Sequence, residues 1–416
     1  MPEFFNVLPP AEALKLLLSH LPGRLPVERL SIQDALDRVS ANALTAPEAL
    51  PAFRRSAMDG YALRAADSFG ASAGLPALFQ VVSEAMMGQP ADQPLAQGQA
   101  VLVHTGGMIP PQADAVVQVE HTQIAGRPPL APPFDIEVFQ AVAPGQNVLQ
   151  PGEDIQAGQE IFAAGHRLRP QDIGGLVALG VTAVEVVRRP RVAIISSGDE
   201  LVAPEQQPGR GQIRDVNTAT LAALTVRAGG RPAPVGIVAD DFEALLAIAR
   251  AALETADVLL LSAGSSVSAR DMTAAVIEQL GEPGILLHGI ATRPGKPTIL
   301  GVAGGKPVLG LPGNPVSAVI QFMVVAAPLL DHLQGLLKPS SRGIVWARLA
   351  QNVASEAGRE DYVPVRVSAG ADGLLAEPVF GKSNYIFSLV QADGLLQVPL
   401  NKGGLAAGEW VELSLF

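Results

Sequence analysis

Between residues 188 and 337, short apolar runs alternate with amphipathic segments, and this alternation constrains the fold more than any other feature. Runs at 191–198 and 257–262 predict buried strands, and 217–228 and 241–253 predict helices. Further strands are predicted at 235–238, 285–290, 298–302 and 307–311, with helices over 272–280 and from Pro315 onward. Strands that alternate with helices form βαβ units, so we predict a parallel sheet covered on both faces.

The regions on either side of this segment have a different sequence pattern. The 42 glycines and 35 prolines are spread along the chain, which favours many short strands and tight turns over a linker. Residues 51–147 predict a small β domain, with strands at 78–83, 100–104, 115–119 and 134–138. Turns at Asp372-Gly373 and Asp393-Gly394 predict a second β domain after residue 346. Residues 7–39 predict helix, with a second short helix beginning at Ser31.

Composition excludes several classes of protein. With 29 Lys and Arg against 40 Asp and Glu, the net charge is −11, which argues against a general nucleic-acid binder. A chain that is 48% hydrophobic and only 17% charged is not disordered. The absence of cysteine removes disulfides, thiolate metal ligands and thiol nucleophiles, so any metal needs oxygen or histidine ligands, or ligands that the substrate brings.

We expect no membrane span and no secretory signal. The longest apolar stretch, 316–330, is short and is interrupted by Ser317 and Gln321. The first ten residues lack a basic stretch followed by an apolar run. A cytoplasmic protein is therefore predicted.

Three predicted strands end in loops of small polar residues, at 196–200, 262–271 and 310–317. Small residues let backbone N–H groups approach an anion closely, and ligands bind beyond the carboxyl ends of parallel strands. Arg293 and Lys296 add cations in a loop stiffened by prolines. Each loop alone is also compatible with an ordinary capped turn, but three at one sheet edge favour an oxyanion site. His104 has no ligand spacing to another histidine, and we predict a structural role for it.

Five carboxylates fall at strand or helix ends of the same region. They are Glu200, Asp215, Asp240, Asp241 and Asp271. Clustered oxygens suit Mg²⁺, which takes one or two carboxylates together with substrate phosphate. Helix capping is the alternative, since Asp241 and Asp271 stand where N-caps are expected.

Five motifs, in order over nearly the whole chain, resemble the molybdopterin molybdenumtransferase family, MoeA and the E domain of gephyrin. They are Ser56-Ala-Met-Asp-Gly-Tyr-Ala62, Gly152-Glu-Asp-Ile155, Ser197-Gly-Asp-Glu-Leu201, Pro294-Gly-Lys-Pro297 and Gly310-Leu-Pro-Gly-Asn-Pro-Val-Ser317. The resemblance implies a multidomain α/β plus β fold. It combines a three-layer α/β domain with a parallel-rich sheet, an inserted β domain, a discontinuous elongated domain and a C-terminal β barrel.

The implied boundaries are 1–50 with 150–187 for domain I, 51–149 for domain II, 188–337 for the molybdopterin-binding domain III and 338–416 for domain IV. The implied reaction inserts molybdate into adenylylated molybdopterin, assisted by Mg²⁺, and releases AMP. The resemblance also implies a homodimer, with each active site between domain III of one subunit and domain II of the other. No nucleic acid or membrane partner is expected.

Site residues follow from the motifs. The implied catalytic residues are Asp59, Thr105, Asp154, Glu200, Asp241 and Asp271, and the implied metal ligands are Glu200, Asp241 and Asp271. The implied substrate- and oxyanion-binding residues are Ser197, Gly198, Gly264, Ser265, Arg293, Lys296, Pro312, Gly313, Asn314, Pro315 and Ser317.

The sequence departs from the family pattern in one loop and at Arg293, which stands where Lys is frequent, and it leaves two alternatives open. Ala263, Ser265 and Ala269 replace expected glycines, so the loop geometry and the choice between molybdate and tungstate stay open. A related molybdopterin adenylyltransferase is one alternative function. A gephyrin-like scaffold that binds a partner peptide is the other.

Overall fold

The computed structural model describes residues 7–126, 131–264, 267–338, 343–370 and 373–416, without the side chains of 267–269. Ser265 and Asp372, both singled out in the sequence, lie outside the described residues. The chain forms two compact units. The larger unit comprises Met1–Asn42, Ala164–Ile173 and Thr182–Phe416, and the smaller unit comprises Ala43–Ala163 and Gly174–Val181.

The N-terminal segment is only partly helical. Helix α1 spans Pro10–Ser19, but Val27–Ser31 is a strand, β1. The prediction of helix over the whole of 7–39 is therefore wrong, because pairing with a distant strand outweighs local preference. A 3₁₀ helix at Ile32–Asp34 follows, and the Ser31 hydroxyl accepts a hydrogen bond from the Gln33 N–H, which confirms the second short helix.

The smaller unit is built on a six-stranded sheet with the order β7-β4-β6-β5-β9-β8. Its strands are β2 (Leu44–Thr45), β3 (Arg55–Ser56), β4 (Gly60–Leu63), β5 (Ala77–Glu84), β6 (Gln99–Val103), β7 (Ala115–Gln118), β8 (Thr122–Ile124), β9 (Phe134–Val138), β10 (Val148–Leu149) and β11 (Glu160–Phe162). Buried residues pack on both faces of the sheet, Phe79 and Ile136 in one cluster and Val101 and Val103 in another. The four predicted strands are confirmed within two residues at each end.

The chain then passes through helix α2 (Pro170–Ala178) into strand β12 (Ala183–Val187), which pairs antiparallel with β1. The next strands are β13 (Arg191–Ser197), β14 (Leu201–Val202), β15 (Ile213–Arg214), β16 (Arg231–Val238), β17 (Val258–Ala263), β18 (Pro283–His288), β19 (Thr292–Arg293), β20 (Ile299–Ala303) and β21 (Lys306–Pro312). The helices are α3 (Asn217–Arg227), α4 (Phe242–Thr255), α5 (Val267–Leu280), α6 (Pro315–Gln321) and α7 (Ala327–Leu333).

Six of these strands form one sheet with the order β16-β13-β17-β21-β20-β18. The first four run parallel, whereas β20 and β18 join antiparallel. The predicted sheet is therefore parallel only in part. Helices cover both faces, as predicted: Leu17 of α1 and Leu221 of α3 lie in one core cluster, and Leu245 of α4 and Ile277 of α5 lie in the other.

Helices α6 and α7 continue into each other through a π turn at Phe322–Ala326. Among the described residues, Pro315–Leu333 is the one helix that is long and apolar enough to cross a membrane, but 78% of its apolar window is buried inside the fold. The expectation that this segment is too short is therefore wrong. Its apolar character is explained by packing, since Phe322 and Leu329 belong to the core of the larger unit.

The C-terminal region is a β barrel with one short helix. Its elements are β22 (Ile344–Leu349), β23 (Val353–Ala354), β24 (Glu360–Gly370), β25 (Gly373–Pro378), α8 (Phe387–Val390), β26 (Gly394–Val398), β27 (Gly404–Leu405) and β28 (Trp410–Leu415). The strand order β24-β25-β22-β28-β26 closes because β26 also pairs with β24. This closure removes the sheet edges and confirms the predicted C-terminal barrel.

Candidate functional site

The three predicted loops follow three neighbouring strands of the larger unit. In the parallel register, Ser196 of β13 lies opposite Ser262 of β17, and Ala263 of β17 lies opposite Pro312 of β21. The carboxyl ends of these strands therefore meet at one edge of the sheet, where parallel α/β proteins bind ligands.

Asn217 joins two of these strand ends. It is the first residue of α3, and its side-chain amide donates to Ser262 Oγ and to the Gly313 carbonyl oxygen, each at 2.8 Å. Gly313 lies so close to the neighbouring strand that a Cβ there would stand 2.6 Å from the Ala263 carbonyl oxygen. Ala263 itself is the last residue of β17, so it needs no glycine-like conformation. The loop after β21 therefore requires a glycine at 313.

Two of the five carboxylates hold the first loop in place. Ser197 Oγ donates to Asp240 Oδ1 at 2.7 Å, and Ser196 Oγ donates to Asp215 Oδ1 at 3.1 Å. The Asp240 N–H in turn donates to Asp199. Through these oxygens Asp215 and Asp240 help to position the loop.

The three predicted metal ligands have different surroundings. Asp241 caps α4, where its Oδ1 accepts from the Ala244 N–H at 2.8 Å, so the capping alternative holds for it. Asp271 is not an N-cap, because α5 begins four residues earlier, and its side chain is exposed. The exposed Glu200 carboxylate folds over Gly198, where a Cβ would stand 2.6 Å from Glu200 Oε2. Among the residues that the structure describes, no group of three or more His, Asp or Glu side chains is placed to hold a metal ion.

The loop that carries the two predicted cations is held by hydrogen bonds from a buried glutamine. Gln321 Nε2 donates to Thr292 Oγ1 at 2.8 Å and to the Pro294 carbonyl oxygen at 3.2 Å. Gly295 has a φ of +111°, and a Cβ there would lie 2.2 Å from Gln321 Nε2. The glycine lets the loop cross the glutamine, while Arg293 and Lys296 are exposed. The spacing Arg-Pro-Gly-Lys therefore presents two cations on a rigid turn.

Arg293 lines a cavity of about 870 Å³ that also includes residues from the C-terminal barrel region. Its polar lining includes Asn314, Lys382 and Ser383, and Asn314 Nδ2 donates to Ser383 Oγ at 3.0 Å. Asn314 precedes α6, which begins at Pro315 as predicted, but its side chain does not cap the helix. Arg293 lies 3.8 Å from Asp361.

Lys382, Ser383 and Asp361 were missed by sequence reasoning, because they lie far along the chain from the motifs that they join. The remaining predicted residues of this edge follow the strands as expected. Gly264 follows β17, Pro312 ends β21, and Ser317 is buried in α6.

In the smaller unit, Asp59 and Thr105 are brought together. Asp59 Oδ1 accepts a hydrogen bond from the Thr105 N–H at 2.9 Å. The next residue, Gly60, packs closely on strand β7, because a Cβ there would stand 2.0 Å from the Val117 carbonyl oxygen. Asp154 is exposed, and its N–H donates to the Leu50 carbonyl oxygen. In the described part of the chain, no hydrogen bond or ion pair joins Asp154 to Asp59.

His104 lies between two carboxylates. Its Nε2 is 2.8 Å from Glu84 Oε1, and its Nδ1 is 3.8 Å from Asp59 Oδ1. The sequence did not predict these contacts, and the structural role of His104 stays a prediction. Glu84 ends β5 and His104 follows β6, and the two strands are neighbours, so only the sheet order could have revealed the pair.

The comparisons with known proteins agree with this geometry. Family models match residues 8–180 as the MoeA N-terminal region (domains I and II), 193–332 as a probable molybdopterin-binding domain and 346–416 as the MoeA C-terminal region (domain IV). The molybdopterin molybdenumtransferase of Bacillus subtilis is 31% identical, over 98% of this chain and 94% of its own length. The chain belongs to the MoeA family.

Further relatives support the same assignment along the whole chain. The molybdopterin molybdenumtransferase of Haemophilus influenzae is 30% identical, over 97% of this chain and 98% of its own. The crystal structure of a MoeA protein from Pyrococcus horikoshii OT3 aligns with a TM-score of 0.86 at 30% identity, covering 99% of this chain and 100% of that one. The predicted multidomain α/β plus β fold class is confirmed.

The MoeA-family regions divide the site residues into three sets. Asp59, Thr105 and Asp154 fall in the region of domains I and II, Glu200, Asp241, Asp271, Arg293 and Lys296 in the molybdopterin-binding region, and Lys382 and Ser383 in domain IV. Arg293 of the second set and both residues of the third line one cavity of the larger unit, whereas Glu200, Asp241, Asp271 and Lys296 are not among its described lining residues.

Proposed function

We propose that this chain acts in molybdenum cofactor biosynthesis as a molybdopterin molybdenumtransferase, which inserts molybdate into adenylylated molybdopterin and releases AMP. One observation carries the proposal. The cavity beside the carboxyl ends of the parallel strands combines two cations, Arg293 and Lys382, with the hydroxyl of Ser383 and the amide of Asn314. The Asp361 carboxylate also lines it, but that group is buried and pairs with Arg359 at 2.8 Å. Such a donor set suits a tetrahedral oxyanion in a pocket of ligand size.

In this mechanism the protein supplies positive charge and hydrogen-bond donors. Arg293 can donate two N–H groups at once to molybdate, and Lys296 on the same turn can attract the phosphate of the nucleotide as a point charge. Gln321 keeps the turn rigid through Thr292 and Pro294. Donors held in place before the reaction stabilise developing charge at no cost of reorganisation. The dithiolene sulfurs of the pterin bind the molybdenum, which explains why the protein needs no cysteine.

Mg²⁺ does not fit a protein cage here. Asp241 is committed to capping α4, and the described residues hold no group of three carboxylates or histidines that could bind a metal. We propose instead that Mg²⁺ arrives with the substrate phosphates, with Glu200 and Asp271 as the carboxylates left to contact it. If so, Glu200→Gln should raise the Mg²⁺ concentration needed for half-maximal rate. An unchanged Mg²⁺ requirement would exclude Glu200 as a contact.

The proposal assigns Asp59 and Thr105 to the reaction from the smaller unit of a partner subunit in a homodimer. The hydrogen bond from the Thr105 N–H holds the Asp59 carboxylate in one orientation while leaving it exposed. A cytoplasmic location, and the absence of nucleic-acid or membrane partners, stay predictions from the sequence.

The test measures AMP release by the purified chain with adenylylated molybdopterin, molybdate and Mg²⁺. We expect AMP to appear only when molybdate is present, and Asp59→Ala to lower the rate about 100-fold. Asp92→Ala is the matched control, because Asp92 is an exposed aspartate of the same unit. A wild-type chain that binds the adenylylated pterin but releases no AMP would refute the proposal.

The same assay separates the two alternatives. An adenylyltransferase would form adenylylated molybdopterin from molybdopterin and ATP. A pure scaffold would be insensitive to Asp59→Ala. No specific observation favours either, and the named relatives at 30–31% identity are molybdenumtransferases over nearly their full length.

A further inference from the structure

A second cavity lies at the opposite, amino-terminal end of the parallel strands. It has a volume of about 500 Å³ and is lined by Glu28, Arg38, Arg188, Arg189, Arg191, Arg231, Thr255 and Asp257. Arg191 is the first residue of β13 and Arg231 the first of β16, so both strands begin at this cavity. Because β13 is seven residues long, the cavity lies about 20 Å from the carboxyl-end loops.

The lining is strongly cationic, in a protein whose net charge is −11. Its described residues include five arginines and two carboxylates, which leaves 5 − 2 = 3 positive charges among them. Both carboxylates are already used. Glu28 pairs with Arg38, and Asp257 accepts two hydrogen bonds from Arg188 at 2.7 and 2.9 Å.

Arg189, Arg191 and Arg231 are the cations that remain. Within the described residues, none of the three side chains forms an ion pair, and Arg191 and Arg231 are exposed. Arg191 contacts Asp257 only through its backbone N–H, at 2.7 Å. Three uncompensated guanidinium groups at one cavity repel one another unless an anion is present.

Arg189 shows this lack of compensation most clearly. Its Nε is buried and has no hydrogen-bond partner in the described part of the chain, although buried polar groups are almost always paired. Burial, and after it the positive charge of Arg38, lowers the pKa of the Arg189 guanidinium, and these effects outweigh the opposite effects of Asp37 and Glu28. A bound anion would supply both the missing acceptor and the missing charge.

We propose that this cavity is a binding site for a compact, multiply charged oxyanion, of the kind represented by pyrophosphate, phosphate or molybdate. The described lining residues include no aromatic or large apolar side chain, so the cavity offers a ligand charge rather than apolar surface. The cavity volume falls within the roughly 300–1,000 Å³ of small-molecule sites. This site lies beyond the proposed reaction centre, and its binding can be measured without that reaction.

Calorimetric titration tests the proposal with sodium pyrophosphate, phosphate and molybdate in separate experiments. The starting protein is Arg293→Gln/Lys382→Gln, because these changes weaken the anion cavity at the carboxyl end. In that protein we expect saturable binding of at least one of the three anions. Adding Arg191→Gln/Arg231→Gln should weaken the binding at least ten-fold.

The matched control adds Arg210→Gln/Arg366→Gln instead, which removes the same charge from two exposed arginines elsewhere in the larger unit. We expect this control to bind as the starting protein does. If the quadruple cavity variant unfolds, Arg231→Gln alone should still weaken binding. The absence of saturable binding in the starting protein, or equal weakening by both pairs of changes, would overturn the proposal. The anion that binds most tightly identifies the preferred ligand of the cavity.

Discussion

The two ends of the parallel sheet in the larger unit differ in how their polar and charged groups are paired. At the carboxyl end, polar side chains are joined by short hydrogen bonds, such as those from Asn217 to Ser262 and Gly313. At the amino end, charge is concentrated and only partly paired, with Arg189, Arg191 and Arg231 left over among the described residues. The polar groups of one end are largely paired within the protein, whereas the described lining of the other keeps more positive than negative charge.

This difference follows from how each end is built. Carboxyl-end groups lie on loops that lead into helices, so glycines and helix caps can adjust their positions, as at Gly313 and Asp241. Amino-end groups are the first residues of the strands themselves, such as Arg191 and Arg231, and the sheet register dictates their spacing. Loops can evolve chemistry more freely than strand starts can, which agrees with the catalysis that we propose at the carboxyl end.

The largest expected effect is at the cationic turn. Lys296→Met should lower the rate of AMP release about 100-fold, because a preorganised charge near the reacting phosphate is lost. Anion binding at the amino end should not change. Lys15→Met, on the exposed side of α1, is the control and should keep the wild-type rate. A reaction unaffected by Lys296→Met would break the assignment of chemistry to the carboxyl end.

Gly295→Ala should destabilise the larger unit by about 2.5 kcal/mol, because a Cβ would meet Gln321 Nε2 at 2.2 Å and φ is +111°. Urea unfolding measures this cost. Gly23→Ala provides the comparison, since no described atom lies within 4 Å of the place that its Cβ would take, and its cost should stay near zero. Equal stability of the two variants would show that the turn is not rigid.

Asn217→Ala should cost about 2 kcal/mol, because a buried amide that bonds to Ser262 and Gly313 is removed and its acceptors lose their donor. Thermal unfolding should show the loss, together with weaker substrate binding. The exposed Asn401 serves as a control, and its replacement by alanine should have little effect. Stability equal to that of Asn401→Ala would mean that the strand ends are held together by other contacts.

Asp257→Asn should have the smallest effect on stability, but it should strengthen anion binding rather than weaken it. Loss of the ion pair with Arg188 should destabilise the fold by about 1 kcal/mol, since the amide keeps part of the hydrogen bonding. The cavity gains one net positive charge, so we expect tighter binding of pyrophosphate. Denaturant unfolding measures the loss of stability, and calorimetry measures the binding of pyrophosphate. Weaker binding would contradict the electrostatic account of the amino end.

Much of the fold could be predicted from the sequence, because local patterns carry it. The apolar runs of β13, β17 and β21 and the start of α6 at Pro315 are visible as buried strands and as a helix signal. The pattern could not distinguish the antiparallel β18 and β20 from parallel strands, because buried strands of either direction have the same composition. It also missed β1, whose partner β12 lies far away along the chain.

For the site, the sequence by itself determined which groups are present: the cationic turn with Arg293 and Lys296, the Asp59–Gly60 turn and the small-residue loops. The tertiary structure alone decided which groups meet. It placed Ser383 beside Asn314, His104 beside Glu84 and five arginines around one cavity, and it used Asp241 as a cap. The physical reason is the distance over which each effect acts. Backbone preference, turn chemistry and capping act over a few residues, whereas charge pairing and cavity formation depend on distances that only the folded chain sets.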